Sequence, residues 1–540
     1  MSRQTLTLLA SLWLVALGNF PFWRSIWQAT GGLRTDNVFF LLTAPLFVLA
    51  WVYLTLSLLT WGRATKAALA TVLLTSAAAG YFIDTYGILL DHGMIANIVQ
   101  THTAEALELL SWRLWVWLLV FGVLPALLIA RVRVVGRPWT RELSAKALGM
   151  AAAVACLAAM LLVHYQHYAS LLRNHRELRL MLVPSNIVAA VHGHLTRSLA
   201  APVTLEVVGA DATRAFSGAR AAKPTLTILV VGETARAANF SLNGYPRPTN
   251  PELARQNVFS FSDVSACGTS TAVSLPCMFL DVGRDGFQAT LALRHEGLLD
   301  VLQHAGIAVR WRDNNSGCKG VCDRVPHEDL SIMQVPGLCR SDECYDEILL
   351  HGLQDYLDKQ DRDTLIVLHM KGSHGPAYFK RYPPAFEAFT PACDNVQLDR
   401  CSRQEIVNAY DNTLRYTDYV LSRTIDLLRS NARRFDTAML YVSDHGESLG
   451  ENGLYLHGLP YALAPREQIQ VPLLLWLSED LRERLGIDAA CLRTRQHAPL
   501  SHDYVYHSIL GLSNVQTAIY RAEHDLFRPC RPTVTALNSQ

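Results

Sequence analysis

Charge of a single sign is missing from this chain. Its 540 residues carry 48 Lys or Arg against 47 Asp or Glu, a formal net charge of +1. That balance excludes an overall polycation. With no basic block, zinc-finger pattern or recognition helix, it argues against nucleic acid as a partner. No CxxC pair occurs, which weakens a zinc-knuckle reading of the cysteines. Internal repeats and low-complexity tracts are also missing, which leaves ordinary folded domains. What the chain does have is apolar residues, 50% of the total. The mean hydropathy of +0.15 averages two unlike parts: residues 1–165 are strongly apolar, and the rest reads as a soluble protein. A chain of this length is expected to form two or three domains.

Five apolar stretches fill the first part, roughly Leu6 to Phe22, Val38 to Trp61, Ala67 to Leu90, Leu114 to Ala130 and Ala147 to Tyr165. Each approaches the ~20 residues needed to cross a bilayer core. The first has no clear small-residue cleavage site and is followed by further spans, so it does not read as a cleavable signal peptide. Arg3, Arg63, Lys66, Arg131, Arg133, Arg137, Arg141 and Lys146 fall on one side of these spans, and only Arg24, Arg34 and Arg113 on the other. The positive-inside rule then places the N-terminus in the cytoplasm. Five crossings deliver everything after Tyr165 to the outside.

The cysteines give an independent reading. Of eleven, Cys156 lies in the fifth apolar stretch and ten lie in the exported part. Most are close neighbours: Cys267 and Cys277, Cys318 and Cys322, Cys339 and Cys344, Cys393 and Cys401. Cys491 and Cys530 remain and pair by default. Short spacings in an oxidising compartment read as a disulfide framework, with zinc thiolates as the rival.

Residues 166–221 read as a bridge. Its opening, HYASLLRNHRELRLML, suits either a helix lying on the membrane surface or an amphipathic helix packed on the exported domain. From residue 222 onward short apolar runs alternate with helical stretches, as in a sheet of buried parallel strands. Polar residues follow each run: Glu233 after TILVV, His369 and then His374 after LIVL, Asp444 and His445 after AMLYV. Ligands of open α/β sheets bind beyond the carboxyl ends of strands. Singly, each of these residues reads equally well as a loop carboxylate, a helix cap or a surface histidine. Together, two carboxylates and an imidazole suit Zn²⁺, and His374 and His457 could serve a second metal or a charged substrate. In ACGTSTAVSLPC, Thr271 lies between two cysteines ahead of an apolar stretch able to start a helix. A metal would activate its hydroxyl, and a helix N-terminus would stabilise a phosphate there.

The segments VVGETARAANFSLNGYPRPTNP, ACGTSTAVSLPCMF, WRDNNSGCKGVCDRV, HMKGSHGPAY and YVSDHGESLGENGLYLHGLPYALAP resemble the lipid A phosphoethanolamine transferases of Gram-negative bacteria. That family includes the mobile colistin-resistance enzymes. The resemblance covers nearly the whole chain. It implies an α-helical membrane domain of five transmembrane helices (1–165), the bridge (166–221), and an α/β alkaline phosphatase/sulfatase-like domain (222–540) with a mainly parallel sheet flanked by helices. It also implies a multi-pass protein of the inner membrane with its catalytic domain in the periplasm, acting as a monomer. Glu233, Thr271, Asp444 and His445 match zinc ligands, with Thr271 the nucleophile. His374 and His457 match residues that bind phosphoethanolamine or a second zinc, and His369 a histidine nearby. Lys319 and Ser316 match residues lining the substrate pocket. Asn97, Thr101 and Glu105 match a trio that holds the ethanolamine head group. Their spacing would put them on one face of a helix.

The expected reaction is a two-step transfer. Phosphatidylethanolamine donates phosphoethanolamine to Thr271, which passes it to a phosphate of lipid A, lowering negative surface charge and polymyxin binding. Three rivals stand beside it. One is a sibling transferase acting on lipopolysaccharide core, Kdo or a periplasmic glucan. Another is a membrane-bound phosphodiesterase or sulfatase, the latter opposed by the lack of a CxPxR motif. The third is a non-catalytic membrane scaffold.

Overall fold

The computed structural model describes residues 1–531 except 36, 102, 165–166, 169–170, 172–174, 176, 199–203, 215–222, 341–342 and 397. The chain forms two compact units, Met1–Val99 with Leu110–Ala200, and Gln100–Leu109 with Ala201–Gln540.

The first unit is helical. A helix α1 (Arg3–Trp13) and a helix α2 (Phe20–Ala29) are followed by α3 (Val38–Leu59), α4 (Thr65–Tyr86), α5 (Trp112–Arg131) and α6 (Trp139–Val163). The four spans Val38–Leu59, Gly62–Tyr86, Trp112–Arg131 and Trp139–Val163 are long and apolar enough to cross a membrane. The first expected crossing is not one straight helix. Arg3–Gly18 and Phe20–Ala29 meet at a 57° bend, and among the described residues five spans result only if this pair counts as one. The bend has a local cause. A π-helical stretch, Leu14–Gly18, ends at Asn19, and Pro21 sits in the first turn of α2, where its ring would clash with a continuing helix. Buried Asn19 meets the freed backbone groups. Its Nδ2 donates to Leu14 O at 3.0 Å and Val183 O at 2.9 Å, and its Oδ1 accepts from Val183 N at 2.9 Å. Broken helices are tolerated at membrane depth only when such groups are satisfied.

The bridge helix is partly outside the described residues. Its described Tyr168, Leu171 and Leu178 are buried in one cluster with Leu6, Phe22 and Phe40, against the spans themselves. Helix Leu178–Met181 and α7 (Ser185–Ser198) follow.

The second unit is built on an eight-stranded sheet. Its strands are β1 (Thr225–Gly232), β2 (Phe259–Ser265), β3 (Ala308–Asp313), β4 (His327–Asp329), β5 (Thr364–His369), β6 (Asp436–Ser443), β7 (Gln470–Leu477) and β8 (Leu500–Ser501). They lie side by side in the order β8-β2-β7-β6-β1-β5-β3-β4. All neighbours are parallel except β7, which runs antiparallel to β2 and β6. Every residue of β1 is buried, as expected of a central parallel strand covered on both faces. Leu229 and Val231 pack with Leu298, Leu302 and Ile509 on one face. Ile228 and Val230 are equally buried and point to the other face. There helix α9 (Arg403–Ser430) packs against β6. Ser402 and Glu405 cap that helix reciprocally. Helices α8 (Thr271–Met278) and α10 (Asp503–Leu512) follow β2 and β8.

Disulfides join Cys267 to Cys277, Cys318 to Cys322, Cys339 to Cys344, Cys393 to Cys401 and Cys491 to Cys530. No thiolate is left in this unit for a zinc knuckle, and Cys156 of the membrane unit is free.

Candidate active site

Register brings the site together. Gly232 pairs with Ser443 and Val231 with His369. The ladder continues beyond the strands, since Asp444 N donates to Gly232 O and Met370 N to Val231 O, each at 2.9 Å. Glu233, Asp444 and the 370–374 loop therefore leave the sheet at one level. The loop runs close over Glu233. Gly372 has φ +54, and a Cβ there would stand 2.5 Å from the Glu233 carbonyl oxygen, so only glycine fits.

Glu233, Asp444 and His445 are buried, and each offers a ligand atom within 4.8 Å of the others. His445 Nε2 lies 3.2 Å from Glu233 Oε1 and 3.4 Å from Asp444 Oδ2. Thr271, the first residue of α8, donates its hydroxyl to Glu233 Oε2 at 2.9 Å and stands 3.4 Å from His445 Nε2. A second group, Glu233, His374 and His457, also brings ligand atoms within 4.8 Å of one another. The His457 ring centroid is 4.3 Å from that of His445 and 5.3 Å from that of His374.

The electrostatics of the cluster call for a cation. Burial, then the Glu233 charge, pushes the Asp444 carboxyl up to about 6. Burial alone would lower His445, but the Asp444 and Glu233 carboxylates drive it up to about 10. Burial opposes ionisation of Glu233, yet the His445 charge and hydrogen bond hold it well below the usual range. A proton on His445 balances the carboxylates when nothing else does. A divalent cation would replace that proton. The donor set fits one: Asp444 Oδ2 is buried without a hydrogen-bond partner. His445 Nδ1 is 2.9 Å from Gly446 O, which would leave Nε2 available to ligate. His457 Nδ1 is likewise bound to Glu447 Oε2 at 2.8 Å, and Glu447 accepts from Tyr378 OH at 2.6 Å. Burial and the neighbouring His445 charge keep His457 below the usual histidine range, so its Nε2 carries a lone pair.

Other expected residues make contacts of their own. His369 is fully buried against Trp311, its Nδ1 2.9 Å from Asp313 Oδ2 and its Nε2 3.3 Å from Asn315 Nδ2. Its contacts run to Asp313, Asn315 and Trp311, so it supports Asn315 from behind. Lys319 Nζ folds back onto Ser316 O and Oγ at 2.8 and 2.9 Å. Asn97, Thr101 and Glu105 do not share one helix. The helix His92–Gln100 ends before Thr101, and another begins at Thr103. Thr101 and Thr103 are β-branched, which disfavours helix continuation. The Glu105 side chain lies outside the described residues.

Several residues of the site escaped the sequence reading. Asn315 donates to Glu233 Oε2 at 2.8 Å and Met370 O at 2.9 Å. It follows β3 as Glu233 follows β1, a signal the WRDNN segment does carry. Thr234 holds φ +60, a costly conformation for a β-branched residue. It is fixed by hydrogen bonds from its N–H to Asp444 Oδ1 at 3.1 Å and from Tyr410 OH to its carbonyl at 2.8 Å. His502 accepts from Cys267 N at 3.1 Å and reaches Ser443 O at 2.9 Å, tying the Thr271 loop to the end of β6. It follows a two-residue strand too short to recognise in sequence.

Comparison with known proteins agrees with this geometry. Residues 225–515 match the Sulfatase family model, and residues 48–199 the model described as Phosphoethanolamine transferase EptA/EptB. The chain is 44% identical to Phosphoethanolamine transferase EptA of Escherichia coli K12, covering 98% of each. It is 38% identical to Phosphatidylethanolamine transferase Mcr-1 of Escherichia coli, covering 94% of each. The structure of the integral membrane lipooligosaccharide phosphoethanolamine transferase A from Neisseria meningitidis superposes with a TM-score of 0.95 at 35% identity, covering 98% of this chain and 99% of that one. A sheet-end cluster of this kind, on a sulfatase-type domain that follows a helical membrane unit in the sequence, agrees with relatives matched along nearly their full length: the chain belongs to the EptA family of phosphoethanolamine transferases.

Proposed function

We propose that the chain transfers phosphoethanolamine from phosphatidylethanolamine to a phosphate of lipid A through a covalent phosphoethanolamine–Thr271 intermediate. The spans would cross the bacterial inner membrane, with the catalytic unit in the periplasm and the chain acting as a monomer. Family membership supports this reading. The observation that carries it is the Thr271 hydroxyl, hydrogen-bonded to Glu233 Oε2 at 2.9 Å inside a buried carboxylate–imidazole cluster.

Zn²⁺ is the cation the donor set suits. Glu233, Asp444, His445 and Thr271 would hold one ion, and Glu233, His374 and His457 offer room for a second. When bound, such an ion supplies positive charge that stabilises a negative oxygen. In the first transfer Thr271 Oγ1 attacks the donor phosphorus. The new O–P bond forms as the P–O bond to diacylglycerol breaks. The threonine proton, directed at Glu233 Oε2 beforehand, ends on the diacylglycerol oxygen. The first-turn N–H groups of α8 begin at Thr271 and favour the phosphoryl charge. In the second transfer an oxygen of a lipid A phosphate attacks the same phosphorus, Thr271 Oγ1 leaves, and the proton released by the acceptor returns to it. Glu447 holds His457 in one tautomer beside the phosphoryl group. Lys319 and Ser316 would line the head-group side, and the head-group role of Asn97, Thr101 and Glu105 rests on family resemblance alone. The ammonium added to lipid A weakens its attraction for cationic peptides such as polymyxin.

Lipid A mass spectrometry from cells with and without the chain tests the proposal. A gain of one phosphoethanolamine unit supports it. Diacylglycerol release with unmodified lipid A would instead mean hydrolysis and overturn it.

A further inference from the structure

A cavity of about 250 Å³ opens within the membrane unit among α1, the end of α3 and the start of α6. Its wall holds Arg3, Arg137 and Lys146 against one carboxylate, Glu142. Glu142 is already engaged by α1, with Arg3 Nη1 at 3.2 Å and Gln4 Nε2 at 3.0 Å. Lys146 is only 9% exposed, and among the described residues no carboxylate pairs with it. Its ammonium donates to Thr60 O at 2.6 Å and lies 3.4 Å from the centroid of the Trp61 ring. One of its three N–H groups is thereby used. The nearby Glu142 carboxylate, which also pairs with Arg3, is the countercharge Lys146 feels; a buried lysine sharing one carboxylate with a second cation beside an open cavity is costly unless an anion completes it.

The surroundings point to a lipid rather than a soluble anion. Trp61 and Trp139, 57% and 74% exposed, border the cavity as interfacial aromatic residues do. The same end of the spans carries Arg63, Lys66 and Arg131. The volume lies below the ~300–1,000 Å³ that encloses a whole drug-sized ligand, which suits a head group whose acyl chains stay outside. We infer that this cavity binds the phosphate of an anionic phospholipid head group, with Lys146 as the buried contact and Arg3 and Arg137 beside it. Basic pockets between membrane helices recognise head groups in this way. The inference is independent of the transfer reaction.

The test is native mass spectrometry of the full chain in detergent, titrated with phosphatidylglycerol and, separately, phosphatidylcholine. Phosphatidylglycerol should be retained preferentially. Lys146→Met and Arg137→Gln should each cut its retention about fivefold, the effect of one basic residue near an anionic head group. Arg137 is exposed, so its variant keeps the test decisive if Lys146→Met does not fold. Equal retention of the two lipids, or no change in Arg137→Gln, overturns the inference. So does displacement of phosphatidylglycerol by millimolar inorganic phosphate, which would assign the cavity to a free anion.

Discussion

In the membrane unit the buried Asn19 and Lys146 direct their polar atoms at backbone groups. In the catalytic unit the buried Glu233, Asp444 and His445 face one another. The two units also treat apolar surface oppositely: Leu162 of α6 is 83% exposed, whereas every residue of β1 is buried. Where the surroundings are lipid, exposed leucine costs nothing and a polar side chain serves to repair a broken helix. Where the surroundings are water, apolar residues fill the core, and buried charge collects at the strand ends, as at sites of perturbed titration.

The sharpest way to break this contrast is to remove the oxygen. Thr271→Ala should reduce lipid A modification by a factor on the order of 10⁴ or more while the protein still accumulates, read by mass spectrometry of lipid A against immunoblots. Chelation should act on the catalytic unit. EDTA should abolish transfer, Zn²⁺ should restore it, and the thermal midpoint of the full chain in detergent should drop with chelation. A ligand present at a hundredfold its Kd contributes about 2.7 kcal/mol. An unchanged midpoint together with unchanged turnover would remove the metal from the account.

His502 tests whether the Thr271 loop is held from behind. Burial, more than any other cause, keeps this imidazole neutral down to about 4, against an ordinary value of 6.5. The unfolded chain therefore binds the extra proton between pH 6.5 and 4. Stability is full above that window and should fall by on the order of 3 kcal/mol as pH drops through it. His502→Ala should flatten that slope. It also leaves the Cys267 N–H and Ser443 carbonyl unpaired, a loss of about 1–3 kcal/mol at neutral pH. Denaturant melts at several pH values check both. The smallest expected effect lies in the membrane unit. Asn19→Leu should cost about 1 kcal/mol or less per hydrogen bond lost, lowering the thermal midpoint while metal content stays constant.

The site was partly legible because its chemistry follows strands that are themselves legible. TLTILVV and TAMLYV are continuous β-branched and apolar runs, and a carboxylate stands one residue beyond each, Glu233 after Gly232 and Asp444 after Ser443. The placement of His369 was not legible, because spacing along the chain does not say whether a strand's last residue points into the cleft or into the core. The antiparallel β7 also went unseen, since an apolar run carries no direction. Asn97, Thr101 and Glu105 fit a helical period, but the helix breaks between them.

By itself the sequence determined which segments are apolar enough to enter a bilayer, which strands are buried, and which residue types are available for metal and phosphoryl chemistry. These depend on local composition and period. Only the tertiary structure decided that α1 and α2 bend at Asn19, that Asn315 and His502 brace the cluster, and that Lys146 lines a cavity. Such facts depend on which backbone atoms meet across long loops, and pairing at that distance leaves no periodic trace in the chain.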